Sequence, residues 1–349
     1  MSKVRVAVAG CGNVALCYIP NLLASPHVEL VALCDSRVEH ARQLADQHGI
    51  KDVYGDVNEM LREAKIDLLV NLTSMNYHAP INRAALESGV HVWCEKPLAT
   101  DLKDAHELIQ LARQKGLALH AAPNAPTSPA ARCMSDILAS GEIGKAFTAQ
   151  GFYGHGGISW GSWFYRKGGG SLFDLGVYNI TTLSALLGPV KNVVSFTGIA
   201  IPERIVGGET VQVEADDNTA LIMDHGHSVF SVVQTGYTFK RQFDDWTIQV
   251  IGTGGAMVLN GYDWEPKGVS VCVGDGGKWE KRAEDQGLYA WEGGASYLAE
   301  YLAMGEQPPA HGEHSLHVLE IMLAAHQSSQ SGQRVAVESS FPWSNNRLV

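Results

Sequence analysis

Short apolar runs alternate with amphipathic stretches through the first third of the chain. Val4–Ala9 is brief, apolar and valine-rich, the pattern of a strand buried on both faces. A helical stretch to about Leu23 follows, then a second apolar run over Val28–Cys34. Leu68–Leu72, Val90–Cys94 and Leu117–Ala121 repeat the strand pattern. Ala79–Ser88 and Leu102–Gln114 repeat the helical one, stopped by Gly89 and Gly116. Repeated strand–helix units predict a doubly wound parallel sheet, an α/β fold.

The pattern changes after residue 145. Phe147–Tyr153, Val193–Gly198, Asn218–Met223, Ser228–Gly236 and Trp246–Ile251 are β-rich with partial alternation. Turns are expected at Asp224-His225-Gly226 and at 252–255. Val269–Val273 and Val335–Val337 are shorter strand candidates, and Ala295–Met304 and His314–Ser329 read as helices.

Composition narrows the function classes. The 349 residues are 45% hydrophobic and 18% charged, which predicts a soluble globular protein with room for two domains. The formal net charge of −11, with no basic run, argues against nucleic acid and anionic membranes as partners. No apolar run reaches the length of a membrane span. The six cysteines form no C-x-x-C pair and have no zinc-finger spacing, so no metal is expected and a reducing cytoplasm suits them. The start of the chain shows no signal-peptide pattern.

Chemistry begins at Gly10-Cys11-Gly12-Asn13-Val14-Ala15, a G-x-G-x-x-A turn between the first strand and its helix. Gly10 permits the tight turn, and Gly12 lets backbone approach a pyrophosphate. Ala15 is small enough for helix–strand packing. Asn13 and Val14 then open the helix N-terminus that the phosphates face. Asp35 ends the second strand, where its carboxylate accepts from ribose hydroxyls and repels a 2′-phosphate. Ser36 and Arg37 follow, and Arg37 partly offsets that repulsion. The pattern predicts a dinucleotide site that favours NAD over NADP.

In doubly wound sheets ligands bind beyond the carboxyl ends of the strands. The first strand's glycine turn, Asp35, Thr73–His78, Glu95–Pro97 and Asn124 all fall there. Thr73, His78, Glu95, Lys96 and Asn124 therefore join the cofactor candidates. Lys96 stands out, because a charge at the end of a buried strand is costly unless used. Pro97 restricts its backbone. His78, at a loop–helix junction, reads equally as a contact to backbone.

The glycine turn, the E-K-P tripeptide at 95–97 and the later segment 168–178 (GGGSLFDLGVY) together resemble the glucose–fructose oxidoreductase / inositol dehydrogenase (Gfo/Idh/MocA) family. The resemblance covers essentially the whole chain and is closest over residues 71–99. It implies a Rossmann domain over 1–124 and a C-terminal α/β domain over 125–349 with a large, mainly antiparallel sheet. It also implies NAD(P)-dependent redox chemistry on sugars or cyclitols, and a homodimer or homotetramer formed through the open sheet face. Two departures stand out. Ala125 follows Asn124 where the family often has arginine, and Tyr178 stands where many members have histidine.

Residues 154–167 form a glycine-rich aromatic loop. Trp160, Trp163 and Tyr165 offer apolar faces for sugar C–H surfaces, His155 and Arg166 offer donors, and Tyr153 precedes them. All but Tyr165 are carried as substrate candidates. The glycines predict mobility. Glu214, Asp216 and Asp217 read as a solvated turn rather than a metal site. Beyond Gly168–Gly170, which are expected to let the chain pass close to a ligand, helical spacing places Asp174 and Tyr178 on one face.

Lys96, Asp174 and Tyr178 form the expected catalytic set. A free phenol, near pKa 10, is about 4 kcal/mol too weakly acidic at neutral pH. A lysine ammonium about 4 Å away contributes on the order of 4 kcal/mol at an effective dielectric of 20, enough to make Tyr178 a base. The sequence supports a secondary-alcohol dehydrogenase. A glycosidase-like or eliminating enzyme that oxidises transiently with retained NAD fits the same residues.

Overall fold

A computed structural model describes residues 3–240, 245–284, 287, 289–306, 308 and 311–343. The chain folds as two units, Met1–Asn124 with Ala290–Leu319, and Ala125–Tyr289 with Glu320–Val349.

The first unit alternates strictly. Its elements are β1 (Val4–Ala9), α1 (Ala15–Ala24), β2 (Val28–Cys34), α2 (Val38–His48), β3 (Asp52–Tyr54), α3 (Val57–Glu63), β4 (Leu68–Asn71), α4 (His78–Glu87), β5 (His91–Cys94), α5 (Leu102–Lys115) and β6 (Leu119–Ala121). The strands pair in parallel in the order β3-β2-β1-β4-β5-β6. That is the doubly wound order of dinucleotide-binding folds, with the direction of winding reversing between β1 and β4. β4 is buried at every position, and its apolar run Leu68–Val70 is what a two-sided core demands. Aspartates start two of the helices: Asp56 accepts from the Glu59 N–H, and Asp101 from that of Asp104.

The second unit starts with α6 (Pro129–Ser140), where Ser128 caps the Ala131 N–H and proline takes the first helical position. It continues through β7 (Ala146–Gly154), α7 (Val177–Leu187), β8 (Asn192–Gly198), β9 (Glu203–Val206), β10 (Glu209–Gln212), β11 (Asn218–Gly226), β12 (Val229–Gly236), β13 (Trp246–Gly252), β14 (Gly255–Tyr262), β15 (Glu265–Val273) and β16 (Glu280–Glu284). After α8 (Gly294–Met304) and α9 (His311–Ser331), β17 (Val335–Ala336) closes the edge of a nine-stranded sheet. Its order is β16-β15-β14-β13-β7-β12-β11-β8-β17, antiparallel except for the β7–β12 pair. β9 and β10 form a separate ribbon.

Alternation along β8, β11 and β12 sorts the sheet's two faces. Val193, Ser195, Leu221, Met223, Ser231 and Val233 are buried. Their neighbours Val194, Phe196, Ile222, Phe230 and Val232 are exposed. Cross-strand register sets Ile222 between Val194 and Val232, so the exposed side is a continuous apolar stripe.

The turn expected at Asp224-His225-Gly226 lies further on. β11 runs through Gly226, and the turn residues are His227 and Ser228, at φ 53° and 63°. His225 explains the shift. Its ring is buried between the Gly188 carbonyl and the Ser231 hydroxyl, at 2.7 and 2.8 Å, which holds it in the ladder.

α8 packs Ala295, Leu298 and Ala299 into the core of the first unit. Among the described residues, no helix is long and apolar enough to cross a membrane.

Candidate active site

Gly10 adopts φ +94°, and a Cβ there would lie 2.6–2.7 Å from the backbone of Leu72 and Thr73. Glycine is therefore dictated by both conformation and contact. Gly12 differs: a Cβ would meet nothing within 4 Å, because the position faces an open cavity. That cavity, about 430 Å³, is lined by Gly10, Gly12, Asp35, Arg37, Asp56 and Thr73 among others, with Ser36 also on its wall.

Asp35 is held from both sides. Its Oδ2 accepts the Cys11 N–H and its Oδ1 that of Arg37, each at 2.8 Å. One lone pair on each oxygen is left for a vicinal diol. With Asp56 also on the wall, two carboxylates oppose a 2′-phosphate. A side chain at position 12 would fill the cradle, and the donor set matches a ribose, so these residues fit NAD. Asn13 is exposed and Val14 half-buried at the start of α1.

His78 holds this region together from behind. It is buried, with Nδ1 2.7 Å from the Pro97 carbonyl and Nε2 2.9 Å from that of Thr73. It bridges the loops after β4 and β5 through backbone oxygens. Glu95 and Lys96 are half-buried beyond β5, and the Lys96–Pro97 peptide is cis. Asn124 is buried beyond β6.

In the second unit the motif segment is a π turn, Leu172–Gly176, running directly into α7. A plain α-helical face was expected. The wider turn leaves one side open. Over Ser171–Leu186 the only residues not buried are Asp174 and Tyr178.

Three buried groups fix that segment. Asp216 accepts from the Ser171 hydroxyl and the Leu172 N–H through Oδ2, at 2.8 and 2.9 Å, and takes His326 Nε2 at 3.1 Å on Oδ1. Its ionised form is favoured despite burial, because these donors and His326 lower its pKa. Asn179 donates to Thr247 and to Asp263, whose carboxyl is raised to about 6 by burial. Tyr237 donates its hydroxyl to Asp174 Oδ2 at 2.8 Å. Burial and the adjacent Asp174 push its phenol far up, so Tyr237 stays a donor.

His155 stacks on Tyr237 with ring centroids 5.4 Å apart. Burial lowers its pKa, and its Nδ1 accepts the Gly157 N–H at 3.1 Å. The neutral ring therefore carries its proton on Nε2 and presents a donor. Tyr153 is buried edge-on to His155, its phenol raised mainly by burial.

Three sequence-based readings are corrected here. Glu214, Asp216 and Asp217 do not form one solvated turn. Only Glu214 is exposed, paired with Arg166 at 3.0 Å. Asp216 caps the π turn, and Asp217 pairs with buried Arg204 at 3.0 Å. The loop at 154–167 is clipped rather than loose. The Tyr165 hydroxyl donates to the Ile158 carbonyl at 2.8 Å and accepts its N–H at 2.5 Å, and Arg204 donates to the Gly156 carbonyl. Tyr165 is thus a buried fastener, whereas Trp160 and Trp163 remain exposed. Finally, Gly169 and Gly170 serve internal packing. A Cβ on Gly169 would lie 2.5 Å from the Phe164 carbonyl, and one on Gly170 2.3 Å from Asp216 Oδ1.

Sequence reading missed Tyr237, which shares no motif with Asp174. Among the described residues, no three His, Cys, Asp or Glu side chains are placed to hold a metal.

Comparison with known proteins identifies the family and the fold. Residues 4–122 match the model of an oxidoreductase family with an NAD-binding Rossmann fold, and residues 132–258 match the GFO/IDH/MocA C-terminal domain. D-glucoside 3-dehydrogenase of Escherichia coli is 31% identical over 192 residues, 54% of this chain and 55% of that protein. The chain thus matches just over half the length of that relative. 1,5-Anhydro-D-fructose reductase of Ensifer adhaerens is 23% identical over 96% of the chain and 99% of the relative. A levoglucosan dehydrogenase structure with NADH and levoglucosan superposes with a TM-score of 0.85 at 20% identity, covering 97% of this chain and all of that one.

Proposed function

The chain belongs to the Gfo/Idh/MocA family of NAD-binding oxidoreductases, and on that premise we propose that it is a dehydrogenase of sugars, glycosides or cyclitols. Hydride moves between nicotinamide and a secondary alcohol carbon. The observation that carries this reading is the pairing of Asp174 and Tyr178 as the two open side chains of an otherwise buried segment. The relatives' names, for a glucoside, an anhydro sugar and levoglucosan, support the substrate class.

Bound NAD supplies the hydride acceptor. Asp35 would hold its ribose, and the carboxylates of Asp35 and Asp56 would favour it over NADP. On the substrate, Tyr178 takes the hydroxyl proton as the carbinol C–H bond breaks. Lys96 stabilises the developing alkoxide charge. Asp174, oriented by Tyr237, accepts from a neighbouring hydroxyl and fixes the ring. His155, a donor in its neutral form, is suited to a substrate oxygen and poorly suited to be the base. Trp160 and Trp163 offer exposed faces for the sugar's C–H side.

The test is NADH absorbance on adding NAD with D-glucose, methyl glucosides, levoglucosan or myo-inositol. A growing signal with at least one class is expected. Aglycone release without net NADH moves the protein to the eliminating chemistry. No reaction with any class, in either direction, overturns the reading. The apolar stripe on the sheet is read as the seat of a second copy of the chain, giving a homodimer or homotetramer.

A further inference from the structure

We propose that Tyr18, in the helix after the glycine turn, is a positioning residue that fixes Lys96 through Glu95. The proposal builds on the role given to Lys96 above. Tyr18 has no exposed surface. Its hydroxyl donates to Glu95 Oε1 at 2.8 Å and accepts the Trp93 Nε1–H at 3.3 Å. The other carboxylate oxygen, Oε2, accepts the backbone N–H of Lys96 at 3.1 Å. Each oxygen of Glu95 thus has a separate partner, one on α1 and one on the backbone of Lys96.

Local backbone explains why an anchor is needed. The ladder to β4 ends as Glu95 donates to the Asn71 carbonyl at 2.9 Å. The next N–H, on Lys96, turns to a side chain instead. A glutamate carboxylate folded back onto the following residue gives up several rotatable bonds for one contact. The phenol of Tyr18 holds that carboxylate in place. Tyr18 is itself braced. Trp291 meets its ring edge-on at 5.7 Å, and Trp93 is packed so closely under Gly294 that a Cβ there would lie 2.0 Å from the indole. Helix α1 and the backbone of Lys96 therefore share one hydrogen-bonded connection through Glu95. An ordinary core tyrosine would need only some acceptor for its hydroxyl. Here the acceptor is the group that holds Lys96.

The test compares Tyr18→Phe with the wild type in saturating NAD, reading modification of Lys96 by trinitrobenzenesulfonate through peptide mass spectrometry. Releasing one long side chain should speed labelling of Lys96 about threefold. Lys103, 84% exposed on the same unit, should label at an unchanged rate. Glu95→Ala removes the other partner from a half-buried position and should give the same result, so a folding defect in the first variant does not end the test. Equal labelling of Lys96 in wild type and Glu95→Ala overturns the proposal. So does a rise shared equally by Lys103.

Turnover separates this from the reading beneath it. Tyr18→Phe should lower kcat about tenfold, as a misplaced catalytic group does, and should have no further effect in a Lys96→Met background. Additive losses overturn the proposal. Normal turnover by Lys96→Met, with labelling still responsive to Tyr18, removes the catalytic role of Lys96 and leaves the positioning intact.

Discussion

The hydroxyl of Tyr237 donates to Asp174 Oδ2 at 2.8 Å, from a strand end 63 residues further along the chain. The bond turns a half-exposed carboxylate into an oriented acceptor. Tyr237→Phe keeps the ring's packing on His155 and removes only the donor. A hydrogen bond to a charged group is worth about 1.5–3 kcal/mol, so kcat/KM should fall at least about tenfold. Steady-state NADH formation checks this, with circular dichroism confirming the fold.

Tyr178→Phe removes the proposed base while keeping its volume. Turnover should drop about 10²- to 10⁴-fold, with NAD affinity held within a factor of about two, because the nucleotide cavity lies wholly in the first unit. Full activity in this variant would transfer the proton to Lys96.

Asp35→Ser removes one of the two carboxylates on the cavity wall. Repulsion between like charges about 4 Å apart is worth roughly 1–4 kcal/mol between bulk water and a protein surface. Affinity for NADP relative to NAD should therefore rise about tenfold or more. Fluorescence titration of NADPH and NADH measures the ratio. NADH binding should also weaken, since Asp35 organises the Cys11 and Arg37 backbone.

Acid stability should depend on His225. Burial drives its pKa from 6.5 to about 4. Between those values the unfolded chain binds a proton that the folded chain refuses, so stability falls as pH falls through that window. The loss approaches about 3 kcal/mol. Asp263 has the opposite sign: raised from 3.8 to about 6, it stabilises the fold at low pH and loses that contribution as pH rises. Urea unfolding at pH 7 and pH 5 should show a smaller acid loss for His225→Gln than for wild type. Equal losses would exclude His225 as the source.

Phe196 is 78% exposed at the centre of the β8 edge of the apolar stripe. If a second copy covers that face, Phe196→Glu should halve the mass seen by light scattering at micromolar concentration, leaving the thermal profile of each subunit recognisable. A wild-type monomer would end that reading of the face.

The two architectures were legible because periodicity reports burial. The apolar run Leu68–Val70 marked a strand of a two-sided core, and the β-rich, partly alternating segments after residue 145 marked a second sheet. The glycine turn and Asp35 were legible for a related reason: their chemistry is local, set within one strand–helix–strand unit. Asp174 and Tyr178 could be paired by spacing alone. What sequence could not supply were relations between distant residues. Asp216 looked solvated until the fold set it under Ser171 and Leu172. Arg204 gave no sign of clipping the loop at 156. The π turn had no composition signal, because it follows from how Asp216 and the sheet seat the segment. Sequence determined where the glycine turn, Asp35 and the candidate pair Asp174 and Tyr178 fall along the chain, and which segments form strands. Tertiary structure decided which of them are held, by hydrogen bonds between residues tens of positions apart.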